Sequence, residues 1–393
     1  MKTFLRTIIL LTICCIAITT SGCASDTDFE LTPISEIREN FSRTAEELKA
    51  AEFDNLDFSK AEFSFPEIDS ISKLSVTDFA GKSLREMYDF YYDSLETLMP
   101  GVYSEEEKLN GILLSDINRD PYLPYLPIDE YELAAEGGDL MMVFRDSKCY
   151  IQAGGYIQWF DNDDLYQWKG DEVTSIPLTD YLDSAGPAVD YITDMNREDK
   201  YELIDGEISI KDAAEFADNF LETTTLTPYE TSVKTRIIAA DVVDIGGGKY
   251  GYGFFTTCEY KNVLFDYPEL DDVNRARYVM NDYDDRRYSS WYGQVAMIQS
   301  DKVFHMISLL SYSVEETETY TSIISLQDAA WIVSDFYSKH MDFSVSKVEA
   351  VYLKYEGTAF PCWKFVMRCR GNVYDTLVDM HTGEVHVYIQ AGK

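Results

Sequence analysis

The chain is short of cations. Lys and Arg number 33 against 70 Asp and Glu, giving a net charge of −37 over 393 residues. Phosphate contact needs clustered Lys and Arg, so this balance argues against DNA or RNA as a partner. Histidine is scarce, with only His305, His340, His381 and His386. Seven Cys are present without a Cys-x-x-Cys pair, which removes the usual signals for a zinc ribbon or a thioredoxin-type redox motif. There is no Gly-x-Ser-x-Gly elbow, no His-Glu-x-x-His and no P-loop. Gly246-Gly-Gly248 lacks the following Lys-Ser/Thr and lies between two strand-like segments, so it reads as a hairpin loop.

What is present begins at the N-terminus. A basic start, Met1–Arg6, is followed by an apolar run from Thr7 to Thr19 and then by Thr20-Ser-Gly-Cys23. That order is expected of a secretory signal over 1–22, with an apolar run too short to span a bilayer comfortably. Cys directly after Ser21-Gly22 resembles the bacterial lipobox, although Thr20 stands where Leu is usual. The resemblance implies cleavage before Cys23 and lipidation of that residue. Losing Lys2 and Arg6 would take the net charge from −37 to −39, which favours a protein held off anionic headgroups on its tether. Cys149, Cys258, Cys362 and Cys369 then remain besides Cys23. Cys362 and Cys369 lie an odd number of residues apart on an expected strand, so they face opposite ways and should stay free thiols.

Residues 23–69 read as a tether and an N-terminal helix. Thr32-Pro33 suits a helix start, with Thr as N-cap and Pro at the first helical position. Ile34, Ile37, Phe41, Thr44 and Leu48 recur at helical spacing to about Ala51. Phe53–Phe65 alternates aromatic and polar residues and is expected to be extended. Residues 70–200 read as an N-terminal α+β domain. It has a helix from about Ser83 to Met99, a Pro- and Tyr-rich loop at 121–127, and strands over Leu140–Arg145 and Cys149–Phe160.

A repeat organises the remainder. Ile208-Ser-Ile-Lys-Asp-Ala-Ala214 recurs as Ile324-Ser-Leu-Gln-Asp-Ala-Ala330. In each copy Ser (Ser209, Ser325) precedes Asp (Asp212, Asp328) by three residues, as in a capping box. There the hydroxyl accepts from one orphan backbone N–H, and the carboxylate is expected to reach back to another. The apolar faces are Ile210, Ala213, Ala214, Ala217, Phe220 and Leu221 in copy one, and Leu326, Ala329, Ala330, Val333, Phe336 and Tyr337 in copy two. First strands follow at Val233–Val243 and Val345–Tyr355. Second strands are Tyr252–Tyr260 and Pro361–Arg370, matching Phe254 to Phe365 and Cys258 to Cys369. Closing hairpins follow over Gln294–Met306 and Thr376–Tyr388, turning at Ser300-Asp301 and Thr382-Gly383. Copy one carries an insertion near 261–290, rich in Tyr, Asp and Arg.

Copy two resembles a PepSY-type module. The helix, the Pro361-Cys-Trp-Lys-Phe365 strand, and Val378-Asp379 with Thr382-Gly383-Glu384-Val385 carry the resemblance. Tandem modules of this kind occur in exported Firmicutes proteins, and the arrangement is similar to the C-terminal part of YpeB-like proteins. The expected fold class is α+β: the N-terminal domain, then two helix-on-antiparallel-sheet modules, 201–312 and 313–393. The resemblance implies no catalysis, and a role in modulating extracytoplasmic proteases or signalling.

Candidate chemistry is sparse. A two-residue turn at Thr382-Gly383 would set His381 opposite Glu384 and Asp379 opposite His386, as cross-strand contacts without a third metal ligand. Asp116-Ile-Asn-Arg-Asp120 starts like an EF-hand loop, but Pro121 and Pro127 occupy the positions that need Gly and Glu. Asp161-Asn-Asp-Asp164 and Asn281-Asp-Tyr-Asp-Asp285 offer oxygen atoms to Ca²⁺, with solvated acidic loops as the plainer reading. No other cofactor is expected. Tyr156, Trp159, Phe160, Tyr166 and Trp168 form a candidate stacking surface for a sugar or peptide. The expectation is a lipid-anchored, extracytoplasmic, non-enzymatic binding or regulatory protein at the cell membrane, with an envelope protein as partner. The alternatives are an envelope hydrolase using paired carboxylates, and a lipoprotein that captures glycan or peptide.

Overall fold

The computed structural model describes residues 29–78, 112–115, 139–143, 147–152, 156–161, 189–223, 233–267, 293–308, 312–337, 340–355 and 357–390. The signal segment, Cys23 and the expected helix at 83–99 lie outside them. Over the described residues the protein is α+β: three helices and a set of mainly antiparallel strands. Contacts divide it into two compact units. One holds Met1–Ser72, Glu318–Val351 and Phe360–Lys393; the other holds Lys73–Thr317 and Tyr352–Ala359.

The second of these units contains copy one. Val233–Gly246 and Lys249–Tyr260 form a long antiparallel hairpin. Gly247 and Gly248 at its tip have φ of 63° and 75°, a backbone region that glycine enters without penalty. A second tight turn, Lys261-Asn262, also at positive φ, returns the chain as the short strand Val263–Phe265. Gly293–Gln299 then pairs with Lys249–Tyr260, and Lys302–Ser308 pairs with Gly293–Gln299. The turn between those last two is Ser300-Asp301, as the sequence predicts.

The sheet does not stop there. Asp190–Ile192 adds to Val233–Gly246 on one side. On the other, Tyr156–Asp161 pairs with Lys302–Ser308 and continues through Ser147–Gln152 and Asp139–Val143 to Ile112–Ser115. The strands expected to belong to a separate N-terminal domain therefore extend copy one's sheet. The expected single strand over Cys149–Phe160 is a hairpin, broken after Gln152. An open sheet edge leaves unpaired N–H and C=O groups, and pairing with another strand satisfies them.

The other unit contains most of copy two, Glu318–Val351 and Phe360–Lys393. Helix α1 (Ile34–Ala50) buries Ile34, Ile37, Ala45 and Leu48. It begins one residue later than predicted: Pro33 is the N-cap and supplies no side-chain bond. Thr32-Pro33 instead pairs antiparallel with Ser322-Ile323, and the Ile34 N–H donates to the Thr321 carbonyl. A tertiary ladder has displaced the local Thr cap. Phe343–Tyr355, Thr358–Cys369, Asn372–Asp379 and Val385–Gln390 follow one another as antiparallel strands. Leu56–Asp57 and Glu62–Ser64, from the segment expected to be extended, join the outer side of Phe343–Tyr355 in parallel. Asn55 strengthens that seam, donating to the Ser334 and Tyr337 carbonyls and accepting from the Ser334 hydroxyl.

Helices α2 (Ile210–Thr223) and α3 (Leu326–Phe336) are the repeated helices, one in each unit. Ile210, Ala213, Ala214, Ala217 and Leu221 are buried in α2, and Leu326, Ala329, Ala330 and Val333 in α3. The paired alanines present little bulk, so the helix axis can approach the sheet closely. Phe336 departs from the expected apolar face and is 36% exposed, because α3 ends there and Tyr337 is already extended.

Candidate functional site

The Ser–Asp pairs close as caps, with one difference from expectation. The Asp212 N–H donates to Ser209 Oγ at 3.0 Å, and the Asp328 N–H to Ser325 Oγ at 3.1 Å. Each carboxylate then accepts from the hydroxyl of its own Ser, at 2.7 and 2.6 Å, rather than from a second backbone N–H. Asp is one methylene shorter than the Glu of the usual box, which leaves the hydroxyl as its natural donor. Both serines are thereby committed to the helix start, their oxygen and proton each engaged.

A second bond recurs beside each cap. The Tyr252 hydroxyl donates to the Ile208 carbonyl at 3.0 Å, and the Trp363 Nε1–H to the Ile324 carbonyl at 2.9 Å. Tyr252 and Trp363 occupy the same place when Phe254 is matched to Phe365 and Cys258 to Cys369. All six side chains are buried. Different aromatic donors thus hold equivalent carbonyls, and sequence matching by identity passes over the pair.

The closing hairpin of copy two is part of the same support. Asp379 Oδ1 accepts from the His381 and Thr382 N–H groups at 2.8 and 2.7 Å, and the Met380 carbonyl accepts from the Ile324 N–H at 2.7 Å. Gly383, at φ +74°, is packed so closely that a Cβ would lie 3.2 Å from the Phe29 ring. The turn spans Met380–Gly383, with Asp379 and Glu384 bonded across it, so the two-residue turn expected at Thr382-Gly383 does not form. His386 consequently pairs with Leu377 rather than Asp379. His381 stacks on Tyr320, with ring centroids 4.3 Å apart, instead of facing Glu384.

Lys364 and Asp375 do not stand out in the sequence. Their charged groups approach to 3.9 Å, with side chains only 1% and 0% exposed. A Lys between Trp363 and Phe365 on a core strand is the one signal that could have found the pair. Burial at this level keeps it from solutes and makes it a structural contact. Cys258, Cys362 and Cys369 are buried and form no disulfide among the described residues, as the spacing of Cys362 and Cys369 led one to expect for that pair. Burial raises the Cys258 thiol above the ordinary thiol range, so it stays protonated and unreactive. Among the described residues, no group of three or more His, Cys, Asp or Glu is arranged to hold a metal ion.

Two surface features remain. Trp331 projects from α3 with 49% of its surface exposed. Its ring lies 4.6 Å from that of Phe53, which contacts the buried Phe58, itself edge-on to Phe365. A continuous aromatic path thus leads from core to surface and holds Trp331 over rigid support. Exposed Glu52 and Asp54 flank Phe53 in sequence, and exposed Asp335 follows Trp331 by one helical turn. Covering the open half of the indole, roughly 120 Å², would contribute about 3 kcal/mol. That is the size of an interface hot spot.

The second feature is the aromatic set expected at 156–168. Tyr156, Trp159 and Phe160 lie on the strand Tyr156–Asp161. Tyr166 and Trp168 lie outside the described residues, as do Asn162–Asp164 and Asn281–Asp285 of the acidic loops.

No protein-family model matches the chain, and no curated protein does. Among solved structures it is similar to the Bacillus megaterium YpeB C-terminal domain, at 11% identity and a TM-score of 0.32, covering 78% of this chain and 97% of that one.

Proposed function

We propose that the protein is a lipid-anchored, extracytoplasmic binding protein, without catalytic activity of its own, that regulates an envelope protease or signalling protein. The observation that carries this reading is Trp331, a large aromatic held at the surface by Phe53 and flanked by carboxylates. An exposed Trp on rigid support is suited to anchoring a protein partner, and the surrounding acidity favours a basic one. The polar groups that a sequence search would nominate for chemistry are engaged in support: the serines cap helices, and His381 stacks on Tyr320. The lipid at Cys23 supplies the location.

The test is crosslinking in intact cells, followed by capture of the tagged protein and of its Trp331→Ala variant. One basic envelope protein should be recovered with the wild type and reduced roughly tenfold with the variant. Equal recovery with both, or turnover of cell-wall glycan or peptide by the purified protein, would overturn the proposal. Cys23→Ala should release the protein from the membrane fraction; unchanged retention would remove the lipid anchor.

A further inference from the structure

From Phe29 onward the chain is rooted in the copy-two unit. Phe29, Ile324 and Ile332 surround Gly383, with atoms 3.2, 3.4 and 3.5 Å from the place a Cβ would take there. Thr32-Pro33 is held in its ladder with Ser322-Ile323, and α1 starts directly after it. Only five residues, Ala24–Asp28, separate this root from Cys23. However they are arranged, Cys23 and Phe29 lie no more than about 22 Å apart. Ile332, whose methyl reaches the Gly383 position, is the neighbour in sequence of Trp331. Trp331 is consequently within roughly 40 Å of Cys23. The Arg370-Gly371 turn lies at the far end of the same strand pair. Cys362 opposes Asp379 and Cys369 opposes Asn372, so about 24 Å of strand separate the two turns.

We infer that the copy-two unit stands on the bilayer through the pole formed by Phe29 and the Met380–Gly383 turn, and that the partner met at Trp331 is itself membrane-embedded. The inference rests on the lipid anchor and on the Trp331 reading, and adds an orientation and a partner class to them. With the lipid of Cys23 in the membrane, the tether is too short for the pole to leave the surface. The bilayer is not the ligand. Exposed Glu30 and Glu384 adjoin Phe29 and Gly383 in sequence, and a net charge of −37 repels anionic headgroups, so the unit is held upright rather than laid flat. A membrane-embedded protein meets Trp331 within this thin layer. Confinement there raises its effective concentration, which lets a single aromatic anchor suffice.

The orientation is tested on the mature, full-length lipidated protein in vesicles of phosphatidylcholine and phosphatidylglycerol carrying a headgroup acceptor dye. A donor dye is placed on Thr382→Cys or on Arg370→Cys, both exposed positions, with Cys149→Ser in each. Both proteins should float with the vesicles, and energy transfer should be several-fold stronger from position 382 than from position 370. Flotation with equal transfer, or with stronger transfer from position 370, would overturn the orientation while leaving the anchor standing. Failure to float would remove the anchor and this inference with it. The partner class is tested in cells by inserting about forty residues of Glu-Ala-Ala-Ala-Lys repeats after Asp28, a semi-rigid spacer of roughly 60 Å. Membrane retention should persist, while crosslinked capture should fall roughly tenfold as the pole is lifted away. Undiminished capture would mean a partner outside the membrane layer and overturn the inference. Trp331→Ala on the native tether tests the binding reading separately, so the two failures are distinguishable.

Discussion

Replacing Trp363 by Phe should be costly out of proportion to the small change in bulk. The indole is fully buried, packed near Phe41 and Phe65, and its N–H reaches the Ile324 carbonyl at 2.9 Å. The smaller ring leaves roughly 40 Å³ unfilled, which costs about 1 kcal/mol at ~24 cal/mol per Å³. The buried carbonyl loses its side-chain donor, a further cost of about 1–3 kcal/mol. The expected total is about 2–4 kcal/mol. Tyr252→Phe isolates the second contribution, since it deletes only a hydroxyl. Its cost should be nearer 1 kcal/mol, because Ile208 also belongs to a backbone ladder. Urea denaturation gives the totals. Amide hydrogen exchange gives the location: protection should fall first around residues 324–330 in one variant and 208–214 in the other. A loss under about 0.5 kcal/mol for Trp363→Phe, or faster exchange spread evenly over the module, would refute the claim that this bond holds the helix start.

Four further outcomes are expected. Ser325→Ala should lower stability by about 1 kcal/mol, read by urea denaturation, because one N–H loses its acceptor and Asp328 its donor. Lys364→Met should cost about 3–5 kcal/mol by removing the cation beside a buried carboxylate, and adding Asp375→Leu should recover most of that loss in the same assay. Gly383→Ala should destabilise by about 1–2 kcal/mol in thermal melts, since φ is +74° and the added methyl meets Phe29. Burial and the bond to Asp190 raise Tyr201 from 10.0 to about 12. Its contribution is therefore complete below pH 10 and lost as pH rises through about 12. Tyr201→Phe should flatten that part of the stability profile, measured by urea unfolding at successive pH values.

The repeat was legible because local physics wrote it. Ser three residues before Asp marks a helix start whatever surrounds it, and β-branched and aromatic runs mark strands. The caps, both long hairpins and the Gly246–Gly248 turn follow from neighbours in sequence. What escaped was set by distant partners. The Thr32 cap gave way to a ladder with residues 322–323, and strands before residue 200 joined copy one's sheet across an expected boundary. The hairpin at Asp379–Glu384 took its shape from carboxylate bonds inside the turn and from Phe29 packed against Gly383. Of the candidate surface, Trp331 was visible only as one more aromatic in a helix. Its exposure, and its support by Phe53, depend on a contact that the intervening 277 positions of sequence conceal.

The seam between the first and last parts of the chain also governs the order of events at birth. Thr32 pairs with Ile323, and Asn55 bonds to Ser334 and Tyr337. Helix α1 is synthesised early, yet the segments that receive it appear roughly 15–60 s later at ordinary rates of translation. During that interval Ile34, Ile37 and Leu48 have no native shelter. The nascent chain therefore depends on whatever shields that stripe, and a product truncated before residue 320 would carry an orphaned helix that proteases can recognise.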